Sequence, residues 1–173
     1  MHIQEIGDVK LLVVDPVVSA VNGDSHKNAE VRQSLQPLAD LAAAQDVAVL
    51  GITHFAKNST GWEPFERIVG SIAFAAFSRI VMVCSKQRDG DARIFCRAKS
   101  NIGADDGGWE YSLIQDTLPD HPDIDGSYVK WGQKVEGSAR DILSAAEGTN
   151  VDDTGGGALG EAVRFLQDVL KDG

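Results

Sequence analysis

The chain has 173 residues and a formal net charge of −10, and 43% of its residues are hydrophobic. This length is enough for one domain with a sizeable hydrophobic core. No apolar run approaches the roughly 20 residues that span a bilayer, and the acidic balance argues against a broad, nonspecific nucleic-acid surface. The first residues lack the basic and apolar regions of a signal peptide, so we expect a cytoplasmic protein.

The first predicted element is an aliphatic run over residues 11–14, which is followed by Asp15 and Pro16. An unbroken apolar run predicts a strand buried on both faces, as in a parallel sheet covered by helices. Because proline cannot donate to a ladder, the strand ends there. Asp15 then lies at the carboxyl end of a central strand, where open α/β sheets bind ligands. The alternative is that Asp15 caps a turn or the next helix.

A helix and a second strand follow. Asn28 is predicted to cap the helix, apolar residues recur at helical spacing after it, and Pro37 is expected to kink or restart it. Residues 47–53 form a second apolar run that ends at His54. Strand, helix and strand predict a βαβ unit with parallel strands. We therefore expect His54 to reach the same sheet edge as Asp15, although a strand-end histidine is also commonly a local hydrogen-bonding residue.

The later segments favour an antiparallel extension of this core. A loop over residues 55–67 precedes a helix of small residues over 72–77. Alternating apolar residues then predict further strands. These strands cover residues 80–85, 93–99, 109–114 and 128–131.

The carboxyl-terminal segments predict helices joined by a linker. A short helix is expected within residues 137–146, and residues 148–157 form a polar, glycine-rich linker. Residues 159–171 have an apolar stripe at helical spacing and predict a terminal amphipathic helix.

Two cysteines, Cys84 and Cys96, are placed symmetrically about Gly90. A hairpin turn at Gly90 would set them opposite each other on paired strands. A disulfide is then geometrically possible, but reduced apolar packing is favoured in a cytosolic protein. Spacings of the CxxC, HExxH or EF-hand type are absent, so we expect no structural metal.

In this order, the segments resemble the RecA-like P-loop ATPase family, and within it the RepA-type hexameric replicative DNA helicases of plasmids and phages. The resemblance covers about residues 9 to 105, and the order and spacing of its motifs are more specific than any one of them. The motifs are Leu-Val-Val-Asp15-Pro16, Gly-Ile-Thr-His54, Gly70-Ser71-Ile-Ala, Arg79, and Ala98-Lys99-Ser-Asn101-Ile-Gly103.

The resemblance implies roles in ATP hydrolysis for five residues. Asp15 would be the Walker B carboxylate that holds Mg²⁺ through water, and His54 would sense the γ-phosphate. Arg79 would be an arginine finger that acts in the adjacent subunit's site, where such groups increase rates by about 10³ to 10⁵. Lys99 would be a second cation near the same interface, and Ser71 would help to bind the nucleotide. The alternatives are a surface charge for Arg79 and an ordinary strand-end polar residue for Lys99.

The resemblance also implies partners. ATP and Mg²⁺ are the expected cofactors, and self-association as a hexamer and contact with single-stranded DNA are expected. The loop that carries Lys57, Trp62 and Arg67 falls where such helicases place a DNA-facing loop, and could offer charge and a stacking ring. Alternatively, Trp62 packs across its own loop.

The departures from the family determine the functional expectation. No GxxxxGK[ST] motif is present, so the sequence lacks the glycine-rich loop whose backbone N–H groups and lysine bind the phosphates of a nucleotide. Val69 stands where the family often has arginine. We therefore expect a fragment or truncated form of such an ATPase that does not hydrolyse ATP alone. The alternative is a non-catalytic oligomerisation or interaction module derived from the same fold.

The expected fold class is α/β. Residues 1–135 would form a partial RecA-like core, with a parallel βαβ unit extended by antiparallel strands. Residues 136–173 would hold the short helix, the linker and the terminal amphipathic helix. A third functional reading, a metal-dependent hydrolase built on Asp15 and His54, offers too few ligands for a site.

Overall fold

The computed structural model describes residues 3–148 and Leu170, and the chain forms two compact units, 1–79 and 80–173. The first unit contains α1 (Ile3–Ile6), β1 (Leu11–Val14), a 3-10 turn (Val17–Ala20), α2 (Asn28–Gln45), β2 (Ala48–Gly51) and α3 (Ala73–Phe77). The second contains β3 (Ile80–Lys86), β4 (Arg93–Ser100), β5 (Gly108–Leu118), β6 (His121–Val135) and α4 (Ala139–Glu147). The predicted domain division at residue 135 stays a prediction.

The first unit contains the predicted βαβ arrangement. Strands β1 and β2 pair in parallel, from Leu11 opposite Ala48 to Val14 opposite Gly51, and α2 connects them. β2 is shorter than the predicted run over residues 47–53. Beyond its end the backbone still pairs, because Ile52 N donates to Val14 O at 2.9 Å.

Helix α2 runs without interruption through Pro37, so the predicted restart is wrong, and the alternative expectation of a kink stays a prediction. A proline inside a helix costs about 3 kcal/mol. Val31 and Leu35 are buried in the core, and Leu38, just after the proline, packs against the same core. Packing on both sides of Pro37 therefore holds the helix together. The rest of this core is formed by Ala73 and Phe74, with Val17, Val18, Val21, Ile68 and Phe77 packed around it.

The predicted cap of α2 is also wrong. Lys27 occupies the N-cap position without a side-chain hydrogen bond, and Asn28 is the first helical residue. The side chain of Asn28 instead accepts a hydrogen bond from the Ser71 hydroxyl. A tertiary contact therefore uses the group that was expected to cap the helix.

The second unit is an antiparallel sheet in the order β3-β4-β5-β6. The first three of these strands were predicted. The last was predicted as residues 128–131 but spans 15 residues. Leu118 pairs with His121, so Pro119 and Asp120 alone form the turn, and the residues between the two predicted strand segments belong to the ladder.

Helix α4 covers one face of this sheet. Its buried residues Ala139, Ile142, Leu143 and Ala146 recur at helical spacing, as expected for an amphipathic helix. The Ser138 hydroxyl caps its start by accepting from Asp141 N at 3.2 Å. Under the helix, Val83, Ile94 and Cys96 are at most 5% exposed.

The strand register places the two cysteines on opposite faces of this sheet. Val83 pairs with Cys96 and Cys84 pairs with Phe95, so the cysteines are offset by one residue rather than opposite each other. Successive residues of a strand point to opposite faces. Cys84 is exposed, Cys96 is buried, and both thiols are free.

The α/β fold class is confirmed, with a parallel pair, an antiparallel sheet and a helix after it. The predicted linker, after Gly148, and the terminal amphipathic helix lie outside the described residues, except for Leu170. Within the described part of the chain, no helix is long and apolar enough to cross a membrane.

Candidate functional site

Asp15 and His54 follow the carboxyl ends of the two parallel strands. Asp15 comes directly after β1, and His54 comes after β2 once Ile52 and Thr53 have left the strand. Val17 N donates to Ile52 O at 2.7 Å, which keeps the two chain segments together beyond the strands. Both side chains are exposed. The topology therefore brings the predicted Walker B carboxylate and the predicted sensor to one edge of the sheet.

The chain after His54 forms a loop with a closed base. Val69 N donates to His54 O at 3.1 Å, and Phe55 and Ile68 form an antiparallel bridge. Ala56 N donates to Arg67 O at 2.6 Å. We call residues 55–68 the sensor loop. Its ends are anchored beside the sheet edge that carries His54.

The three predicted DNA-facing residues differ in exposure. Lys57 is exposed, and the Trp62 side chain is 56% exposed. Arg67 is only 5% exposed, and its guanidinium carbon lies 4.0 Å from the centre of the Phe55 ring. The sequence contained no signal for this cation–π contact. Of these three residues, Lys57 and Trp62 are therefore the ones that the sensor loop presents to solvent.

Gly70 and Ser71 join the sensor loop to α3. Gly70 has a φ of +94°, and a Cβ there would lie 3.0 Å from Ser25 O. Ser71 N donates to the same carbonyl at 2.9 Å. The Ser71 hydroxyl, which is buried, donates to Asn28 and accepts from Ala73 N at 2.9 Å. In this structure Ser71 ties α3 to the start of α2, and its role in nucleotide binding stays a prediction.

The loop between β1 and α2 is held by Glu30. Its carboxylate accepts from Asp24 N at 2.6 Å and from Lys27 Nζ at 3.0 Å. The Asp24 hydrogen bond, followed by that of Lys27, lowers the pKa of Glu30. The carboxylate raises the pKa of Lys27 in return, mainly through the same side-chain hydrogen bond. These contacts order the chain that follows Asp15.

The two predicted interface cations lie in different units. Arg79 is exposed and stands between α3 and β3, at the end of the first unit. Lys99 lies on β4 in the second unit, where it pairs with Val81. A bulge separates this pair from Met82 and Arg97. The structure does not bring Lys99 into the unit that contains Asp15, and the roles of both cations stay predictions.

The described residues fit one part of a nucleotide and Mg²⁺ site. The exposed Asp15 carboxylate can accept a hydrogen bond from a water of Mg²⁺, which usually keeps several waters. Among the described residues, no group of three or more His, Cys, Asp or Glu side chains is placed to hold a metal ion directly. The sequence also has no phosphate-binding loop. These residues can therefore orient a hydrated ion but do not by themselves cradle the phosphates that would carry it.

A depression of about 470 Å³ lies elsewhere, in the second unit, between α4 and its sheet. Its lining includes Arg88, Glu110, Glu136 and Asp141. None of the predicted site residues lines it. We therefore place the candidate site at the edge of the parallel strands.

The comparison with known families finds a match in the first third of the chain. Residues 1–60 match the sequence model of the AAA domain. The match includes β1, Asp15, β2 and His54 and ends inside the sensor loop, so it supports a P-loop ATPase-related domain at a coarse level. No curated protein and no solved structure matches the chain.

Proposed function

We propose that this chain carries the Walker B and sensor part of a RecA-like ATPase of the RepA-type helicase class and does not hydrolyse ATP alone. The observation that carries the proposal is the common position of Asp15 and His54 after neighbouring parallel strands, inside the segment that matches an AAA domain. Asp15 orients water around Mg²⁺, and His54 reports the state of the γ-phosphate to the sensor loop. ATP and Mg²⁺ bind when a phosphate-binding loop completes the site.

The uncovered face of the parallel pair supports an incomplete core. Leu11, Val13 and Leu50 share this face, and they are 53%, 49% and 48% exposed. Parallel strands are normally covered on both faces, and a two-stranded sheet is marginal by itself. A further chain segment that carries the phosphate-binding strand would pair with this sheet and cover the face.

Arg79 and the sensor loop supply the remaining parts of the proposal. The exposed guanidinium of Arg79 reaches a neighbouring subunit's site in a hexamer, with Lys99 as a second cation. Lys57 and Trp62 contact single-stranded DNA, the first by charge and the second by stacking. Arg67 supports the loop through Phe55.

ATP hydrolysis by the purified chain is the first test. We expect no turnover above that of Asp15→Ala, because the phosphate cradle is missing. Fusion to an upstream segment that carries a GKT-containing strand should give turnover, and Asp15→Ala should then lower it by orders of magnitude. Asp40→Ala, which removes an exposed carboxylate from α2, is the matched control and should leave it unchanged. Turnover by the unfused chain that depends on Asp15 would contradict the proposed incapacity.

The DNA contact is tested separately with a fluorescent single-stranded oligonucleotide. Trp62→Ala should weaken binding, since stacking on an aromatic side chain contributes about 1–3 kcal/mol per base. Tyr128→Ala removes an exposed aromatic ring from β6 in the second unit, outside the sensor loop, and is the control. Equal affinities of the wild type and Trp62→Ala would remove the loop from the DNA-binding surface.

A second candidate function is a non-catalytic assembly module. The exposed aliphatic face of β1 and β2 favours it, because such a face suits burial against a partner. The two candidate functions predict different activities for the chain that is fused to a phosphate-binding segment. A fusion that folds, binds ATP and remains inactive would favour the module.

A further inference from the structure

The uncovered face of the second unit's sheet carries a cluster of aromatic side chains. The register places Phe95, Trp109, Tyr111 and Trp131 on the face opposite α4. The Trp131 ring centre lies 5.9 Å from that of Phe95 and 5.8 Å from that of Tyr111. Trp131 is nevertheless 58% exposed and Trp109 is 39% exposed. We call this surface the aromatic face, and exposed tryptophan and tyrosine are typical of binding surfaces.

Four cations lie on the same face: Lys86, Arg93, Arg97 and Lys134. Lys86 and Lys134 form exposed ion pairs with Asp91 and Glu136, both at 3.1 Å. Arg93 and Arg97 donate to the backbone carbonyls of Asp91 and Ala104, which do not neutralise a guanidinium. The aromatic face is thus locally basic in a chain whose net charge is −10.

The β5–β6 hairpin extends beyond this face as an arm. β4 pairs with β5 only from Cys96 opposite Gly108 to Arg93 opposite Tyr111. The ladder between β5 and β6 continues past Tyr111 to the turn after Leu118. At about 3.3 Å per residue the unsupported part is roughly 20 Å long. We call residues 112–130 the β-arm.

The outer part of the β-arm is acidic and apolar. Asp116, Asp120, Asp123 and Asp125 are exposed, and residues 115–126 contain no Lys or Arg. Leu118 is 44% exposed and Ile124 is 46% exposed. A two-stranded hairpin is marginally stable by itself, and contact with another surface would bury these side chains.

We propose that the β-arm of one copy of this chain docks on the aromatic face of a second copy. The two surfaces are complementary in both respects: apolar side chains meet aromatic rings, and aspartates meet arginines and lysines. The contact cannot form within one chain, because the β-arm extends from the edge of its own aromatic face through a continuous ladder. Each copy uses two different surfaces, so the contact is heterologous and builds rings or filaments.

This inference goes beyond the proposed function and does not rest on it, since every residue involved lies in the second unit. Single-stranded nucleic acid is the rival occupant, because it also uses stacking rings and cations. The observations favour a second copy, since the acidic β-arm supplies a complement that is present on the chain itself. Nucleic acid is therefore an outcome of the test.

The test is sedimentation velocity of the full chain across the micromolar range, at low and high salt. We expect association that rises with concentration and falls with salt, as for exposed charges. Asp123→Lys/Asp125→Lys on the β-arm and Arg93→Glu/Arg97→Glu on the aromatic face should each raise the dissociation constant about tenfold or more. The control is Asp105→Lys/Asp106→Lys, which makes the same change of charge as the β-arm variant but in the loop after β4. This control should associate at least as strongly as the wild type.

Mixing the two reversed variants gives the decisive result. The reversed β-arm is complementary to the reversed aromatic face, and the two unchanged surfaces are complementary to each other, so the mixture should associate again. Circular dichroism checks folding, and Lys86→Glu/Lys134→Glu on the exposed edge strands replaces the arginine variant if it fails to fold. A monomeric wild type, or a mixture that stays monomeric, would overturn the proposal. So would a monomer whose aromatic face binds an oligo(dT) probe that Arg93→Glu/Arg97→Glu no longer binds.

Discussion

The guanidinium carbon of Arg67 lies 4.0 Å from the centre of the Phe55 ring, at the base of the sensor loop. Phe55 also bridges Ile68, and Arg67 O accepts from Ala56 N. A buried cation over a ring thus joins the two ends of the loop that follows His54. The loop presents Lys57 and Trp62 from a base that this contact stabilises.

The first prediction concerns this contact. Arg67→Ala should lower the free energy of unfolding by about 2 kcal/mol, because it removes a desolvated cation–π contact and the packing of the side chain. Arg67→Lys should recover only part of that loss, since an ammonium lacks the planar guanidinium that stacks on a ring. Urea denaturation measures both. Trp62→Ala, which truncates an exposed side chain of the same loop, should change stability by less than about 0.5 kcal/mol. Equal losses of stability for Arg67→Ala and Trp62→Ala would contradict a stabilising role for the contact between Arg67 and Phe55.

The second prediction compares two glycines with positive φ. Gly70 has a φ of +94°, and a Cβ there would lie 3.0 Å from Ser25 O and 3.1 Å from the Phe74 ring. Gly61 has a φ of +82° with open space around it. Gly61→Ala should therefore lower the free energy of unfolding by about 1 kcal/mol, through backbone strain alone. Gly70→Ala should lower it by at least about 1 kcal/mol more, because the added Cβ also meets Ser25 and Phe74. Thermal unfolding of the two variants measures the difference, and equal costs would show that the junction relaxes freely around Ser25.

The third prediction concerns the cysteines. Burial raises the pKa of the Cys96 thiol to about 11, with the neighbouring Cys84 as a second cause. The thiolate is the nucleophile, so Cys96 should resist iodoacetamide at mildly alkaline pH while the exposed Cys84 reacts. Mass spectrometry of the native protein should show a single alkylation, which Cys84→Ser abolishes. Urea should expose the second thiol. A native disulfide, or equal labelling of both thiols, would contradict the strand register.

The fourth prediction concerns Arg79 in the chain fused to a phosphate-binding segment. Arg79→Ala should leave stability nearly unchanged, because the side chain is exposed. Turnover should fall by orders of magnitude, since an arginine finger stabilises charge that develops only in the transition state.

Subunit mixing gives the control for this prediction. A mixture of Arg79→Ala with Asp15→Ala should recover part of the activity, because some interfaces then contain both intact residues. The absence of recovery, or a large loss of stability from Arg79→Ala alone, would place Arg79 within its own fold.

Several features could be predicted from local sequence. The aliphatic run before Asp15 predicted β1, and the apolar run that ends near His54 predicted β2. Both follow from side-chain pattern, and the end of β1 follows also from the inability of Pro16 to donate a hydrogen bond. These are properties of adjacent residues. The position of Asp15 and His54 at one sheet edge then followed from parallel pairing.

Other features depend on contacts between residues far apart in sequence. Asn28 was expected to cap α2 but bonds to Ser71, and Pro37 remains in the helix because the core holds the residues on both sides of it. The burial of Arg67 could not be predicted from the sequence, because it depends on the packing of the guanidinium on the Phe55 ring across the closed base of the loop.

The sequence by itself determined where most strands and helices lie, since hydrophobic period and turn residues are local, but it did not reveal α1 or the full length of β6. Only the tertiary structure decided which face each side chain occupies. A shift of one residue in register moves a side chain to the other face of a sheet. The register of the β3–β4 hairpin, which starts with Lys86 opposite Arg93, sets Cys84 opposite Phe95 rather than opposite Cys96. For this reason Cys84 and Cys96 point to opposite faces, and the aromatic residues of three separate strands meet on one face.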